Sequence, residues 1–467
     1  MRSHAPPKGG KSPSIPLFFS SVFFYMLGGT ALVCPQKVRK KGAVVTILPR
    51  KKLILASFLG LASQQIAAYD NALFFRATPF FGEPRLERKT LSSLDISLGS
   101  GATRKGRNQC GQSVPVFDLY GKQNMHELGV GVPGKDPTNP LDLILIDLAA
   151  TPGGDCFGIM SACGKFALFE SNIVLNQNLA RGFYAQFYLP VRRFHVYSNC
   201  FRDCTPACDC PDRNNQVWQN FLDNFNAILE RYCLSTCGYK EADVGDLAIE
   251  LGWSHSYQET TELDFVDLGF KAGVLFPTGK RRNVDRIFSI PFGYNGHYGI
   301  PISMDLAVGA CEWMTLGVHF EAIPLIRRKQ RIRVKTSPTQ SGLIKLTKTC
   351  ANVDPGTVLT GGAFFKADHF ARCISFLVGY SFAHQGDDAV SLCDTICIDS
   401  CAVCSDEQFK AWKMHTLNAR VEIDFATESC PYGFRVGFFY DWNFGGQRIF
   451  QTDVGGTYLG FDATWDF

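Results

Sequence analysis

The residues best equipped for chemistry in this 467-residue chain are its eighteen cysteines. They sit mostly in stretches rich in Gly, Pro and Asp, outside the apolar runs. Cys200, Cys204, Cys208, Cys210, Cys233 and Cys237 fall in one stretch, and Cys393, Cys397, Cys401 and Cys404 in another. Thiolates spaced in this way can bind zinc, and Cys401-Ala402-Val403-Cys404 is a pair of the right type. In an oxidising compartment the same residues pair with each other. The export signal described below selects that reading, so the ten are disulfide candidates and no metal or cofactor is expected. Spacing leaves their connectivity open. Loss of Cys34 with a leader leaves an odd number, and Cys373, on an expected strand, is one candidate for the cysteine left over.

Other constellations fail their own criteria. Gly273 and Gly279 have five residues between them where a phosphate-binding loop has four, and Arg281 follows Lys280 where that loop needs Ser or Thr. No His-Glu-x-x-His or Gly-x-Ser-x-Gly occurs. Ser254-His255 and His319 with Glu321 lack a third partner in sequence and read as strand residues. The chain is therefore not expected to be an enzyme. A net charge of +4 over this length gives no argument for a nucleic-acid partner.

The elements that carry these residues follow a period of two. Leu459, Phe461, Ala463, Trp465 and Phe467 alternate with Gly460, Asp462, Thr464 and Asp466. Strands put alternate side chains on opposite faces. The pattern recurs at Leu94–Leu98, Phe183–Val191, Val266–Val274, Ile302–Val308, Leu316–Phe320, Leu417–Phe425 and Phe434–Trp442. Each run approaches the roughly ten residues with which a tilted strand crosses a bilayer. Charges fall almost wholly on one face; a Lys or Arg at mid-bilayer on the other would cost about 2–4 kcal/mol. Lys165–Leu175 alternates poorly, and Leu141–Ala150 is either a strand or part of a loop.

The connections alternate in length. Short ones lie near 176–181, 258–262, 311–314, 368–372 and 427–431. Long ones lie near 102–162, 197–244, 279–299, 327–355, 385–410 and 445–454. Short periplasmic turns and long extracellular loops characterise transmembrane barrels; sandwiches and propellers have no reason to alternate. The expected fold is all-β, a transmembrane antiparallel β-barrel of about twelve strands, with fourteen left open. One helix is expected, in the second long loop. Val217, Trp218, Phe221, Leu222, Phe225, Ile228, Leu229 and Tyr232 follow helical spacing there. It either caps the barrel mouth or folds into the lumen as a constriction.

Residues 50–68 read as a signal peptide: Arg50, Lys51 and Lys52, then apolar Leu53–Leu61, then Ile66-Ala67-Ala68 before Tyr69. Residues 1–49 are either a membrane anchor or a stretch upstream of the true start, and the latter is favoured. Residues 69–467 form the barrel, with loop insertions at 102–162, 197–244 and 385–410.

The inward face carries glycines (Gly269, Gly273, Gly309, Gly317, Gly379 and Gly437) and both signs of charge. Asp267, Lys271, Asp305, Glu321, Lys366, Arg420, Glu422, Asp424 and Arg435 are expected to line a pore. Eight strands enclose only side chains and sixteen leave an aqueous channel, so twelve suggest a narrow one. Glycines would leave room and mixed charges would tune passage. Equally open, Arg420, Glu422 and Arg435 pair across strands and fill the lumen. The expected function is passive diffusion of small polar solutes or ions across the bacterial outer membrane. The alternative is an adhesion or structural envelope barrel acting through its disulfide-rich loops. Outer-membrane lipid, the barrel assembly machinery and small solutes are the expected partners, and a homo-oligomer is left open.

Two short stretches carry a resemblance. Phe276-Pro277-Thr278-Gly279, at a strand end entering a long loop, resembles a stretch seen in outer-membrane channel families. Tyr458–Phe467 resembles the C-terminal signal read by the barrel assembly machinery, which implies that Phe467, with Trp465, is recognised during insertion. The cysteine-rich loops are similar to those of the disulfide-linked porins of chlamydia-like intracellular bacteria.

Overall fold

The computed structural model describes residues 91–464, apart from 153–155, 208–211, 259–262, 311–312, 372, 394–397 and 426–431. The signal and leader expectations at 1–68 lie outside the described residues, as do Trp465 and Phe467.

Twelve strands form one closed antiparallel barrel. They are β1 (Leu91–Thr103), β2 (Ile159–Asn178), β3 (Phe183–Asp203), β4 (Leu247–Gln258), β5 (Phe265–Phe276) and β6 (Ile302–Ala310). They continue with β7 (Met314–Ile323), β8 (Val358–Ala371), β9 (Ile374–Gln385), β10 (Trp412–Asp424), β11 (Tyr432–Gln447) and β12 (Asp453–Thr464). Each pairs with its chain neighbour, and β12 returns to β1 from Leu91↔Thr464 to Ala102↔Asp453. Closure removes the unpaired edge that hydrocarbon cannot tolerate. Two further short strands, 239–244 and 123–124, add to β3 and β2 outside the closed ring. Among the described residues no helix is long and apolar enough to cross a membrane.

Period two does the sorting. On β11, Phe434, Phe438, Tyr440 and Trp442 are exposed while Arg435, Phe439, Asp441 and Asn443 are buried. Around the barrel large apolar side chains are exposed, Phe187, Leu251, Phe270, Ile302, Leu316, Phe320 and Leu459 among them. Aromatics mark both rims. Phe183, Tyr257, Trp313, Phe425 and Tyr432 stand at the short-turn end, and Phe276, Tyr298 and Trp442 towards the long-loop end. An apolar outer band between two aromatic girdles is the signature of a barrel made for a bilayer.

The connections alternate as expected. The β2–β3 turn closes in four residues, with Arg181 (φ 58°) and Gly182 (φ 84°) in the left-handed region and the Leu179 amide donating to Phe183 O at 2.7 Å. Glycine enters that region at little cost.

Of the two readings of Leu141–Ala150, the loop holds: it lies in the first long loop as helix α1 (Pro140–Ala150), capped by Asn139, whose side chain accepts from the Leu141 amide at 3.0 Å, with Pro140 in the first turn. The helix expected in the second long loop is α2 (Gln216–Arg231), and a short α3 (Ser400–Cys404) lies in the fifth. The poor alternation at Lys165–Leu175 also has a reason. It belongs to the twenty-residue β2, whose inward Phe166 and Leu168 are buried against the loops while Glu170 and Asn172 follow them on the same face, so the inner face mixes apolar and polar residues.

The loops build one cap over the long-loop end. Its core joins Phe117 from the first loop, Trp218 and Phe221 from α2, Phe288 and Phe292 from the third loop, and Ile344 from the fourth. Inward rings of the barrel enter the same core: Phe166 meets Phe450 at 5.5 Å between centroids, and Phe194 meets Phe292 at 4.6 Å. Helix α2 lies in this cap, its Trp218 Nε1 donating to Asp203 at 3.2 Å. Its apolar stripe packs with α1, and it contributes no residue to the lumen cavity. Asp142 ties the two helices: it accepts from Arg231 at 3.2 Å and from the Tyr232 hydroxyl at 3.0 Å.

Candidate functional site in the barrel lumen

Below the cap lies a cavity of about 450 Å³. Its lining runs from Asp246, Gly293 and Tyr294 under the cap to Gln258, Asp368 and Asp424 beside the short turns. Asp246 holds the third loop across the top, accepting from the amides of Gly279 at 2.9 Å and of Tyr294. All nine charged residues expected on the inward face lie on this lining: Asp267, Lys271, Asp305, Glu321, Lys366, Arg420, Glu422, Asp424 and Arg435.

Register explains how they meet. One row around the inside runs Tyr184–Gly252–Lys271–Ser303–Glu321–Thr360, one residue from each of β3 to β8. The next runs Ser254–Gly269–Asp305–His319–Gly362. Lys271 Nζ donates to Gln186 Oε1 at 2.7 Å and to Glu250 Oε2 at 3.0 Å. This wall is acidic: the four strands β4–β7 contain Glu250, Asp267, Asp305 and Glu321, and Lys271 is their only Lys or Arg.

The opposite wall is closed by its own ion pairs. Arg435 Nη2 lies 2.9 Å from Asp462 Oδ1 and 3.1 Å from Asp95 Oδ1. Arg420 Nη2 lies 2.6 Å from Glu422 Oε2, and its guanidinium sits 3.8 Å from the centre of the Tyr458 ring. The Tyr458 hydroxyl also donates to Glu422. Lys366 pairs with Asp368 at 3.0 Å. Desolvated pairs of this kind are held by mutual attraction and geometry. Of the two readings of Arg420, Glu422 and Arg435, the geometry is that of residues that pair and fill.

The inward glycines do less to open the lumen than their size suggests. A Cβ at Gly309, Gly317 or Gly437 would collide with the ring of Phe265, Phe364 or Tyr458 from the next strand, and one at Gly273 with the Ile249 carbonyl. Gly379 faces Phe364 in register. At these positions glycine seats a neighbour's ring. At Gly269 the nearest atoms would be those of Asp305 at 3.6 Å, and the space belongs to the cavity.

Sequence reasoning missed Glu250, Gln186, Tyr184 and the partners Asp95 and Asp462 as site residues. Glu250 was within reach: Ala248, Glu250, Gly252 and Ser254 alternate with Ile249, Leu251 and Trp253. What hid it is that alternation names a face, not a partner.

Among the candidate cysteines, Cys200 is bonded to Cys163, its register partner on β2. Cys204, Cys233, Cys237, Cys393, Cys401 and Cys404 form no disulfide with a described residue, although Cys393 Sγ stands 3.3 Å from Cys350 Sγ. Cys208, Cys210 and Cys397 lie outside the described residues. No cluster of three or more His, Cys, Asp or Glu placed for a metal occurs among the described residues.

Closed antiparallel pairing, an even strand number, alternating connections and an apolar belt define this chain as a β-barrel of the outer-membrane type. No family model and no curated protein matches the sequence. Among solved structures it is similar to an outer membrane channel from Pseudomonas putida F1, at 10% identity and a TM-score of 0.46, over 84% of this chain and 100% of that one. It is also similar to the translocator domain of the autotransporter NalP from Neisseria meningitidis (10%, 0.32, over 81% and 90%) and to a FadL homologue from Pseudomonas aeruginosa (8%, 0.30, over 86% and 100%).

Proposed function

We propose that this protein is a channel of the bacterial outer membrane through which small polar solutes or ions diffuse passively. The observation that carries the reading is a charged cavity inside a largely apolar outer belt. Burying that many charges inside a barrel is costly unless they serve a polar content. In this reading the long loops are extracellular, the short turns periplasmic, and the cap is the gate: its core crosses the loop end of the lumen, so passage requires it to shift. Trp465 and Phe467 would guide insertion by the assembly machinery, and a homo-oligomer is compatible with the belt.

A second reading has its own support. All the long connections but the fifth contribute to one shared aromatic core, and the fifth packs on the fourth, as an adhesion or envelope-structural barrel would need. Conductance of the purified full chain in planar bilayers separates the two. Discrete openings support the channel. Silence at all voltages, including in a Trp218→Ala variant whose cap is loosened, favours the loop-based role.

A further inference from the structure

We infer that the lumen wall formed by β4–β7 is a binding site for small organic amines in their ammonium form. The inference deepens the channel reading, naming the solute class the lumen favours, and rests on it for delivery of the solute.

Three independent features meet there. The first is charge. The whole cavity lining holds eight carboxylates against five Lys and Arg side chains. The excess is concentrated on β4–β7, where Glu250, Asp267, Asp305 and Glu321 surround Lys271 alone. The basic residues of the far wall are already engaged, Arg435 by Asp95 and Asp462, and Arg420 by Glu422. A pocket of one sign within low-dielectric walls concentrates the opposite charge.

The second is unspent hydrogen-bonding capacity. Ser303, 5% exposed, sits in register between Lys271 and Glu321. Ser303 lines the cavity, and its buried hydroxyl has no hydrogen-bond partner among the described residues. Glu250, on the same wall, bonds Lys271 through Oε2, while its buried Oε1 has no such partner. Buried polar atoms left in this way cost free energy unless something bonds them. A carboxylate oxygen and a hydroxyl from side chains of one wall suit the donors of an ammonium group that reaches them.

The third is shape and ring chemistry. A volume of about 450 Å³ is that of a small-molecule site. Tyr184, Tyr188, Tyr294, Phe265 and Phe364 line it with the carboxylates. Aromatic faces attract cations, and most strongly where water is excluded. A bare metal ion has no use for these rings; an amine with an apolar body uses both.

The test uses the full chain, refolded in detergent, and three probes of one shape: benzylammonium, benzyl alcohol and benzoate, titrated calorimetrically. Benzylammonium is expected to bind at least about tenfold more tightly than either of the others. Asp305→Asn with Glu321→Gln is expected to weaken benzylammonium by about tenfold or more and to leave benzyl alcohol unchanged. Should the pair fail to fold, as judged by heat-modifiable gel mobility, Asp305→Asn alone gives the same reading with a smaller loss. Benzoate binding as well as benzylammonium, no binding of any probe, or indifference to the carboxylate changes overturns the inference. Bilayer conductance separates its fate from that of the channel. Conductance without amine binding removes the site and keeps the channel; amine binding without conductance keeps the site and removes passive diffusion.

Discussion

Arg435 on β11 reaches Asp462 on β12 at 2.9 Å, and both side chains are almost wholly buried in the lumen. With Asp95 of β1 at 3.1 Å, this triad ties β11 to β12 and, across it, to β1, at the seam where the barrel closes. Removing one partner of a buried pair leaves the other charge uncompensated. Arg435→Gln is therefore expected to cost about 3–5 kcal/mol. The readout is the temperature at which the folded, fast-migrating gel band is lost. An unchanged temperature would mean that the triad contributes nothing to closure.

The cap has its own latch. Burial alone would raise the carboxyl of Asp142; the Asp136 amide, Arg231 and Tyr232 outweigh it and hold it below the ordinary 3.8. Stabilisation from such a group is fully present above the ordinary value and is lost as pH falls through the lower folded one. Amide protection in α1 and α2 is expected to fall over that acid window. Asp142→Asn should lower protection at neutral pH, by about 1–3 kcal/mol, and flatten the acid dependence. If protection in the variant still tracks pH as in the parent, another group is the latch.

Topology gives a third expectation. Tags inserted within Asp388–Asp406 should be labelled on intact cells, and tags within Gln258–Glu262 only after permeabilisation. Labelling of the second set alone would invert the orientation.

Thiol chemistry gives a fourth. Mass spectrometry of unreduced protein from the envelope should recover a peptide linking Cys163 to Cys200, and most loop cysteines paired. Cys350 and Cys393, with sulfurs 3.3 Å apart and the Cys393 amide donating to Cys350 O at 2.9 Å, should give one of the linked peptides. A bridge across this sequence separation of 43 would add about 4 kcal/mol in the chain-entropy model. Mostly free thiols, or stoichiometric zinc, would contradict this.

The fifth concerns assembly. Deleting Phe467, or replacing it by Asp, should lower the amount of inserted barrel if Phe467 serves, as proposed, as an assembly signal and an interfacial anchor. Undiminished levels in the membrane fraction would remove that role from Phe467.

The barrel was legible in the sequence because its rules are local. Alternation along each strand sends Phe438 outward and Arg435 inward whatever else the chain does, and the alternation of loop lengths orders the strands around the ring. Residue type therefore determined the class of fold, the belt and the membership of the inner face, including all nine charged residues that meet at the cavity. Tertiary structure decided the rest. Whether an inward charge lines a space or fills one depends on the register between strands, which sets Arg435 against Asp95 and Asp462 yet leaves Ser303 between Lys271 and Glu321. Whether an inward glycine opens the lumen depends on the ring across the ladder, as at Gly317 beneath Phe364. The cap was hidden for the same reason: Phe117, Trp218, Phe292 and Phe450 lie far apart in sequence, and only the closing of the barrel brings their loops together over one mouth, where their rings can leave water in company.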